Sequence, residues 1–168
     1  SQILNEIFSG LPHLPAEYQK ILILSDLTTI YCQENSGIAA KCIREAIQRL
    51  GNVEPDRDEL SRKQIIIALV SLHAIDHNDG WVDIAFSIAR KISNPVAYIQ
   101  ALISVYGMIH HDRDRCDEYL KNMITVADKI VSPYEKATTL LSIIPLTLKN
   151  DENSDTPVIL LKKADALT

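Results

Sequence analysis

Glycine is scarce, with five in 168 residues. So few cannot supply the turns of a strand-rich chain, and helices joined by short polar links fit better. Aromatic residues are also few: two Phe, six Tyr and one Trp. Cysteine is limited to Cys32, Cys42 and Cys116, an odd number with wide spacing and no C-x-x-C. That excludes a disulfide framework and points to a reducing, cytoplasmic setting. Cys42 falls on an apolar helical face, where a thiol behaves as a small hydrophobe.

Long apolar runs are missing too. The longest, Ile65 to Val70 and Ile21 to Leu24, fall far short of the ~20 residues of a membrane span, and no secretory leader opens the chain. Ser1 in place of Met leaves room for a longer natural chain. A basic face is missing as well. Net charge is −5 and the 17 Lys and Arg are scattered. Nucleic acid is therefore not expected as a partner, since phosphate binding needs clustered cations. There is no Gly-rich phosphate loop, no G-x-S-x-G and no H-E-x-x-H.

What remains is an ordinary globular composition, 46% hydrophobic and 23% charged, in a length that suits one domain spanning residues 1–168. It also contains a repeat. The run Ser87-Ile88-Ala89-Arg90-Lys91-Ile92-Ser93-Asn94-Pro95 returns as Thr125-Val126-Ala127-Asp128-Lys129-Ile130-Val131-Ser132-Pro133, offset by 38 residues. Beyond the proline, Leu102 matches Leu140, Ser104 matches Ser142 and Val105 matches Ile143. Self-similarity at this period marks stacked supersecondary units.

In chain order, Ile3, Leu4, Ile7, Phe8 and Leu11 share one helical face. A second helix runs from about Pro15 to Gln33. It is apolar on all sides at Ile21 to Leu24 and is expected to be buried between neighbours. After the Gln33 to Gly37 turn, a partner helix carries Ile38, Ala39, Cys42, Ile43, Ala46, Ile47 and Leu50 on one stripe. Pro55 and an Asp56-x-x-Glu59 capping box restart the chain into a helix that includes Ile65 to Val70. Asp76 to Gly80 is the next turn, and Trp81 to Ser93 the next partner helix, with Ile84, Ala85, Ile88, Ala89 and Ile92 inward and Trp81 packed on the neighbouring loop. Asn94-Pro95 starts another helix, since Asn caps well and Pro suits a first position. Ser132-Pro133 repeats the device with a fuller box to Glu135, and Thr156-Pro157 repeats it again. Pro145 should kink or shorten the helix around it. Asn150 to Asp155 reads as an acidic, solvated link. The expectation is all-α: nine helices, one leading and then four antiparallel pairs.

The unit Ala-x-x-Ile-x-x-Pro, with Leu seven residues on, resembles the divergent helix–turn–helix repeats of the tetratricopeptide-like superfamily. The resemblance is sharp over residues 83–144. It implies an αα-superhelical solenoid and a non-enzymatic scaffold for a protein or peptide, with self-association a further option and no cofactor. The spacing departs from the family's 34 residues: Ser25, Ser71, Ser104 and Ser142 are separated by 46, 33 and 38.

Three candidate sites follow. First helices of stacked pairs line a concave side, so Tyr18, Arg62, Gln64, Tyr98, Gln100, Tyr134 and Lys136 are the candidate groove residues, with Lys20 and Asp26 beside them. A metal-dependent enzyme or metal-binding protein using a His/Asp loop edge is the alternative. If Ser71 aligns with Ser104, then His77 aligns with His110 and Asp79 with Asp112 at one edge, with His111 adjacent; imidazole and carboxylate suit zinc, nickel or iron. Polar turns also favour these residue types for caps alone. An acid–base enzyme using His73 or His111 is the third, though nothing in the sequence pairs either with a carboxylate.

Overall fold

The computed structural model describes residues 2–54, 56–109, 111–150 and 155–167. Among these the secondary structure is helical throughout, with nine α-helices and no strand. The chain divides into two compact units, Ser1–Lys91 and Ile92–Thr168. No helix among the described residues is long and apolar enough to cross a membrane.

The first unit contains α1 (Gln2–Gly10), a 3₁₀ turn at Leu11–His13, α2 (Glu17–Tyr31), α3 (Ser36–Arg49), a 3₁₀ turn at Leu50–Asn52, α4 (Asp58–Asp76) and α5 (Gly80–Ala89). α2 packs on α3 and α4, and α4 packs also on α3 and α5. The core is aliphatic: Ile21, Leu24, Ile43, Ile65, Leu69 and Leu72 are fully buried. Side chains of the α1 stripe at Ile3, Leu4 and Ile7, and Pro55 of the following link, lie outside the described residues.

Two helix starts differ in mechanism. Asn35 caps α3, its Oδ1 accepting the Ile38 N–H at 3.1 Å. The Asp56-x-x-Glu59 box does not form. Arg57 donates its N–H to the Glu54 carbonyl in a turn at 2.9 Å, so α4 begins later, at Asp58, without a side-chain cap. Asp58 and Glu59 then sit in its first turn, where their charge complements the exposed N–H groups.

The second unit contains α6 (Pro95–Tyr106), α7 (Arg113–Ala127), α8 (Pro133–Asn150) and α9 (Thr156–Asp165). α6 packs on α7 and α8, α7 on α8, and α8 on α9. Ile99, Leu102, Met123, Leu140 and Ile143 fill its core. The Asn-Pro start works as expected, with Asn94 Oδ1 accepting the Ala97 N–H at 3.0 Å. At Ser132 the hydroxyl accepts the Glu135 N–H at 3.3 Å. Thr156-Pro157 departs from the pattern. α9 already begins at Thr156, behind an Asp155 whose αR backbone gives no side-chain cap. α5 likewise ends at Ala89, short of Ser93. Its last carbonyls are taken by the Arg90 and Lys91 N–H groups at 3.0 and 3.1 Å, and Asn94 is already extended.

α8 runs through Pro145 without being shortened. Pro145 cannot donate to the Leu141 carbonyl. Both residues lie on the exposed side of α8, where water can take that oxygen. Residues 151–154 of the acidic link lie outside the described residues.

Candidate functional site

The first unit holds a cleft of about 480 Å³ between α3 and α5. Ile47 of α3 and Leu50 and Gly51 of the 3₁₀ turn form one wall, Ile84 and Ile88 of α5 the other. Arg62 of α4, with Asp83, Ser87 and Lys91, supplies the polar lining. The cleft follows from the local sequence. Ala39, Cys42, Ile43 and Ala46 turn one face of α3 into the core, which leaves Ile47 half-buried on its flank. The volume lies within the ~300–1,000 Å³ of small-ligand clefts, enough for two or three side chains of a partner.

The charges are unequally committed. Arg62 Nε donates to Asp58 Oδ2 at 2.7 Å and is mostly covered. Lys91 is exposed and enters no ion pair among the described residues. A Cβ added at Gly51 would meet nothing within 4 Å, so this wall opens to solvent. The arrangement offers an aliphatic surface with an available ammonium at one end. Ile47, Leu50, Ile84 and Ile88 read in sequence as ordinary inward stripe residues. The one hint of a gap was the long Asn52 to Asp58 link, which separates α3 from α4.

Exposed stripes form a second feature. On α4, Leu60, Gln64, Ile67, Ser71 and Ala74 follow one another in steps of four, three, four and three, and Ile67 is 49% exposed. α8 repeats the pattern with Tyr134, Thr138, Leu141, Pro145 and Leu148, all exposed. On α2, Ile23 and Ile30 are exposed. The continuous apolar runs of α2 and α4 are therefore not buried all round. Each turns one aliphatic side chain of the run, Ile23 or Ile67, to solvent.

This register sorts the expected groove residues. Gln64, half-buried, and Tyr134, exposed, lie on the α4 and α8 stripes, and Gln100 is the one exposed residue of α6. Tyr98 and Lys136, equivalent across the offset of 38, do not lie on these stripes. Tyr98 is buried in the second unit. Lys136 reaches the C-terminus of α7, donating to the Asp128 carbonyl at 3.1 Å and pairing with its carboxylate at 3.4 Å. Lys163 joins the same carboxylate at 3.3 Å. Burial disfavours the Asp128 charge, but the two ammonium groups outweigh it and hold the carboxyl below its usual range. Tyr18 lies under the Arg57 guanidinium, 5.3 Å from its ring centre. Arg62 lines the cleft instead of a stripe. Lys20 pairs with Glu17, and Asp26 is exposed on α2.

Of the His and Asp residues proposed as ligands, His77 and Asp112 serve local structure. His77 closes α4 in the left-handed region, with φ 51°, and donates its N–H to the His73 carbonyl at 2.9 Å. His73 Nδ1 lies 3.2 Å from the Asn78 carbonyl, and the two imidazoles meet edge to face. Asp79 is exposed and precedes α5. Asp112 caps α7 by accepting the Arg115 N–H at 3.1 Å, and His111 precedes it, exposed. His110 lies outside the described residues. Among the described residues, no three His, Cys, Asp or Glu side chains converge as a metal site.

All three thiols are buried and unpaired. Burial pushes Cys42 and Cys116 above the usual thiol range. It also raises Tyr106, whose hydroxyl donates to the Leu146 carbonyl at 3.4 Å. Burial thus favours the protonated form of each, whereas an activated nucleophile has its pKa lowered. No family model, curated protein or solved structure matches the chain.

Proposed function

We propose that the chain is a non-enzymatic interaction scaffold, an αα-superhelix of tetratricopeptide-like helix pairs that binds a protein or peptide. The single observation that carries the reading is the α3–α5 cleft, with its aliphatic walls and the exposed Lys91 at its rim. Two features support the repeat part. Within the first unit the leading helices of successive pairs, α2 and α4, pack on each other. Within the second, α6 and α8 do the same. Stacked pairs share a core in this way because one amphipathic pair cannot cover its own stripe.

The occupant that fits is a peptide segment with two aliphatic side chains followed by a carboxylate. The aliphatic groups would lie on Ile47, Leu50, Ile84 and Ile88, and the carboxylate would meet Lys91.

The test is a displayed peptide library selected against the folded chain, with enriched peptides measured by fluorescence anisotropy. Gly51→Phe sets a ring at the open wall of the cleft without backbone strain, since Gly51 does not have positive φ. It should weaken binding roughly tenfold or more, about 1.4 kcal/mol, with an unchanged melt. Lys91→Glu should select against acidic peptides. Enriched peptides that bind both variants as well as the parent would sink the reading, as would a library that yields none.

A further inference from the structure

The outward stripe of α8 differs from the others in being self-complementary. Tyr134 is 75% exposed, Leu141 46% and Leu148 49%, with Thr138 and Pro145 between them. The steps of four, three, four and three are a heptad seam, the spacing at which one helix meets another along its length. The stripe is about 21 Å long at 1.5 Å per residue. It carries no charge, so two copies meet without repulsion along it.

Leu141 stands seven residues from both Tyr134 and Leu148. A two-fold axis through Leu141 therefore sets Leu141 against its own copy, and Tyr134 against Leu148 at each end. One flank of the stripe, at Ala137 and Ile144, turns toward the body of its own unit and is buried or half-buried. The other flank is open and carries Glu135, Ser142 and Lys149, each one residue after a stripe position. Antiparallel helices bring like flanks together. Glu135 near the start of one helix thus faces Lys149 near the end of the other, and the pairing occurs twice. Neither side chain enters an ion pair among the described residues. Ser142 meets its own copy at the axis.

We infer that α8 is a homodimerisation surface, pairing antiparallel with α8 of a second copy of this chain through the Tyr134–Leu141–Leu148 seam and two Glu135–Lys149 ion pairs. The partner is chosen by symmetry and charge together. A stripe centred on one leucine, with opposite charges at equivalent ends of one flank, fits its own inverse better than an unrelated helix. One helix face gives a contact at the small end of specific interfaces, so the dimer is weak and concentration-dependent. This inference does not depend on the cleft, which belongs to the first unit.

Sedimentation equilibrium of the whole chain over roughly 1–500 μM, a range set by such small contacts, tests it. The mass should rise from 18.8 kDa toward twice that value. Leu141→Asp should leave a monomer across the range, with unchanged helicity because Leu141 is exposed. Glu135→Lys or Lys149→Glu alone should weaken association roughly tenfold by setting like charges together. The double variant should restore it, which a merely structural effect of either change would not do. A chain that stays monomeric at the top concentration overturns the inference, leaving the stripe to another protein or to solvent. So does a dimer that survives Leu141→Asp, or a double variant no better than the singles.

Discussion

The indole N–H of Trp81 donates to Oδ2 of Asp76 at 2.8 Å, across the turn that joins α4 to α5. Oδ1 of the same carboxylate accepts the Asn78 N–H at 3.0 Å. One side chain thus fixes both the turn and the first turn of the next helix. Trp81 is 4% exposed, and the Arg44 guanidinium lies 5.6 Å from its ring centre. Asp76→Ala removes both hydrogen bonds. Asp76 is exposed, so water recovers part of the loss, and the cost should be about 1–2 kcal/mol. Trp81 is the only Trp, so its fluorescence reports the site directly. Emission should shift to the red and the denaturation midpoint should fall. Unchanged emission would mean that the turn is held by other contacts.

His77 offers a cleaner separation of roles. It is the one non-glycine residue with positive φ among those described. The left-handed region costs an L-residue about 1–2 kcal/mol, and glycine avoids that cost. His77→Gly should therefore hold or raise stability by up to about 1 kcal/mol, despite losing the edge contact with His73. His77→Val should lower it by about 1–2 kcal/mol. Urea denaturation of the two variants checks the order. If His77→Gly were much the less stable of the two, the imidazole would have a role that capping does not explain.

These residues show where sequence reading reaches and where it stops. The helix count, the Asn94 and Ser132 starts and the burial of Trp81 were all legible, because each depends on neighbours close in the chain. The Asp56 box was not. Whether Asp56 or Arg57 becomes the cap depends on the backbone path out of the preceding 3₁₀ turn. The cleft was also hidden. Ile47 and Ile84 have the same periodicity as true core residues, and only the separation of α3 from α5 leaves them half-covered. Tyr98 and Gln100 differ by two positions, and it is the packing of α6 that buries the first and exposes the second.

Ala127 tests the close helix approach within the second unit. It is fully buried at the end of α7, and the Ile130 N–H donates to its carbonyl at 3.1 Å as the chain turns toward α8. Ala127→Leu adds three carbons where no space is left, which should cost about 1–3 kcal/mol. Ala127→Gly should cost about 1 kcal/mol through helix propensity alone. A thermal melt in which the leucine variant matches the parent would place the helix contact elsewhere.

Glu17 ties the start of α2 to the end of α3, and its contribution should follow pH in a defined direction. Its carboxylate pairs with Lys20 and accepts from Arg49 Nη1 at 3.0 Å, while Arg49 Nη2 also reaches Glu45 at 2.7 Å. The Lys20 hydrogen bond, helped by Arg49, holds Glu17 below its ordinary value of 4.5. On Arg49, burial opposes the charge, but Glu17 and Glu45 outweigh it. The three pairings leave each of the four side chains less than a third exposed, so solvent screening is partial. Glu17→Gln should then cost about 1 kcal/mol at neutral pH. A depressed carboxyl stabilises the fold fully above its unfolded value and loses that effect as pH falls through the folded value. The difference between parent and variant should hold steady from pH 7 to about pH 5 and shrink below 4.5. Urea midpoints at pH 7, 5 and 3.5 measure it. A gap that persists undiminished at the lowest pH would show that Glu17 acts through packing or capping and not through its charge.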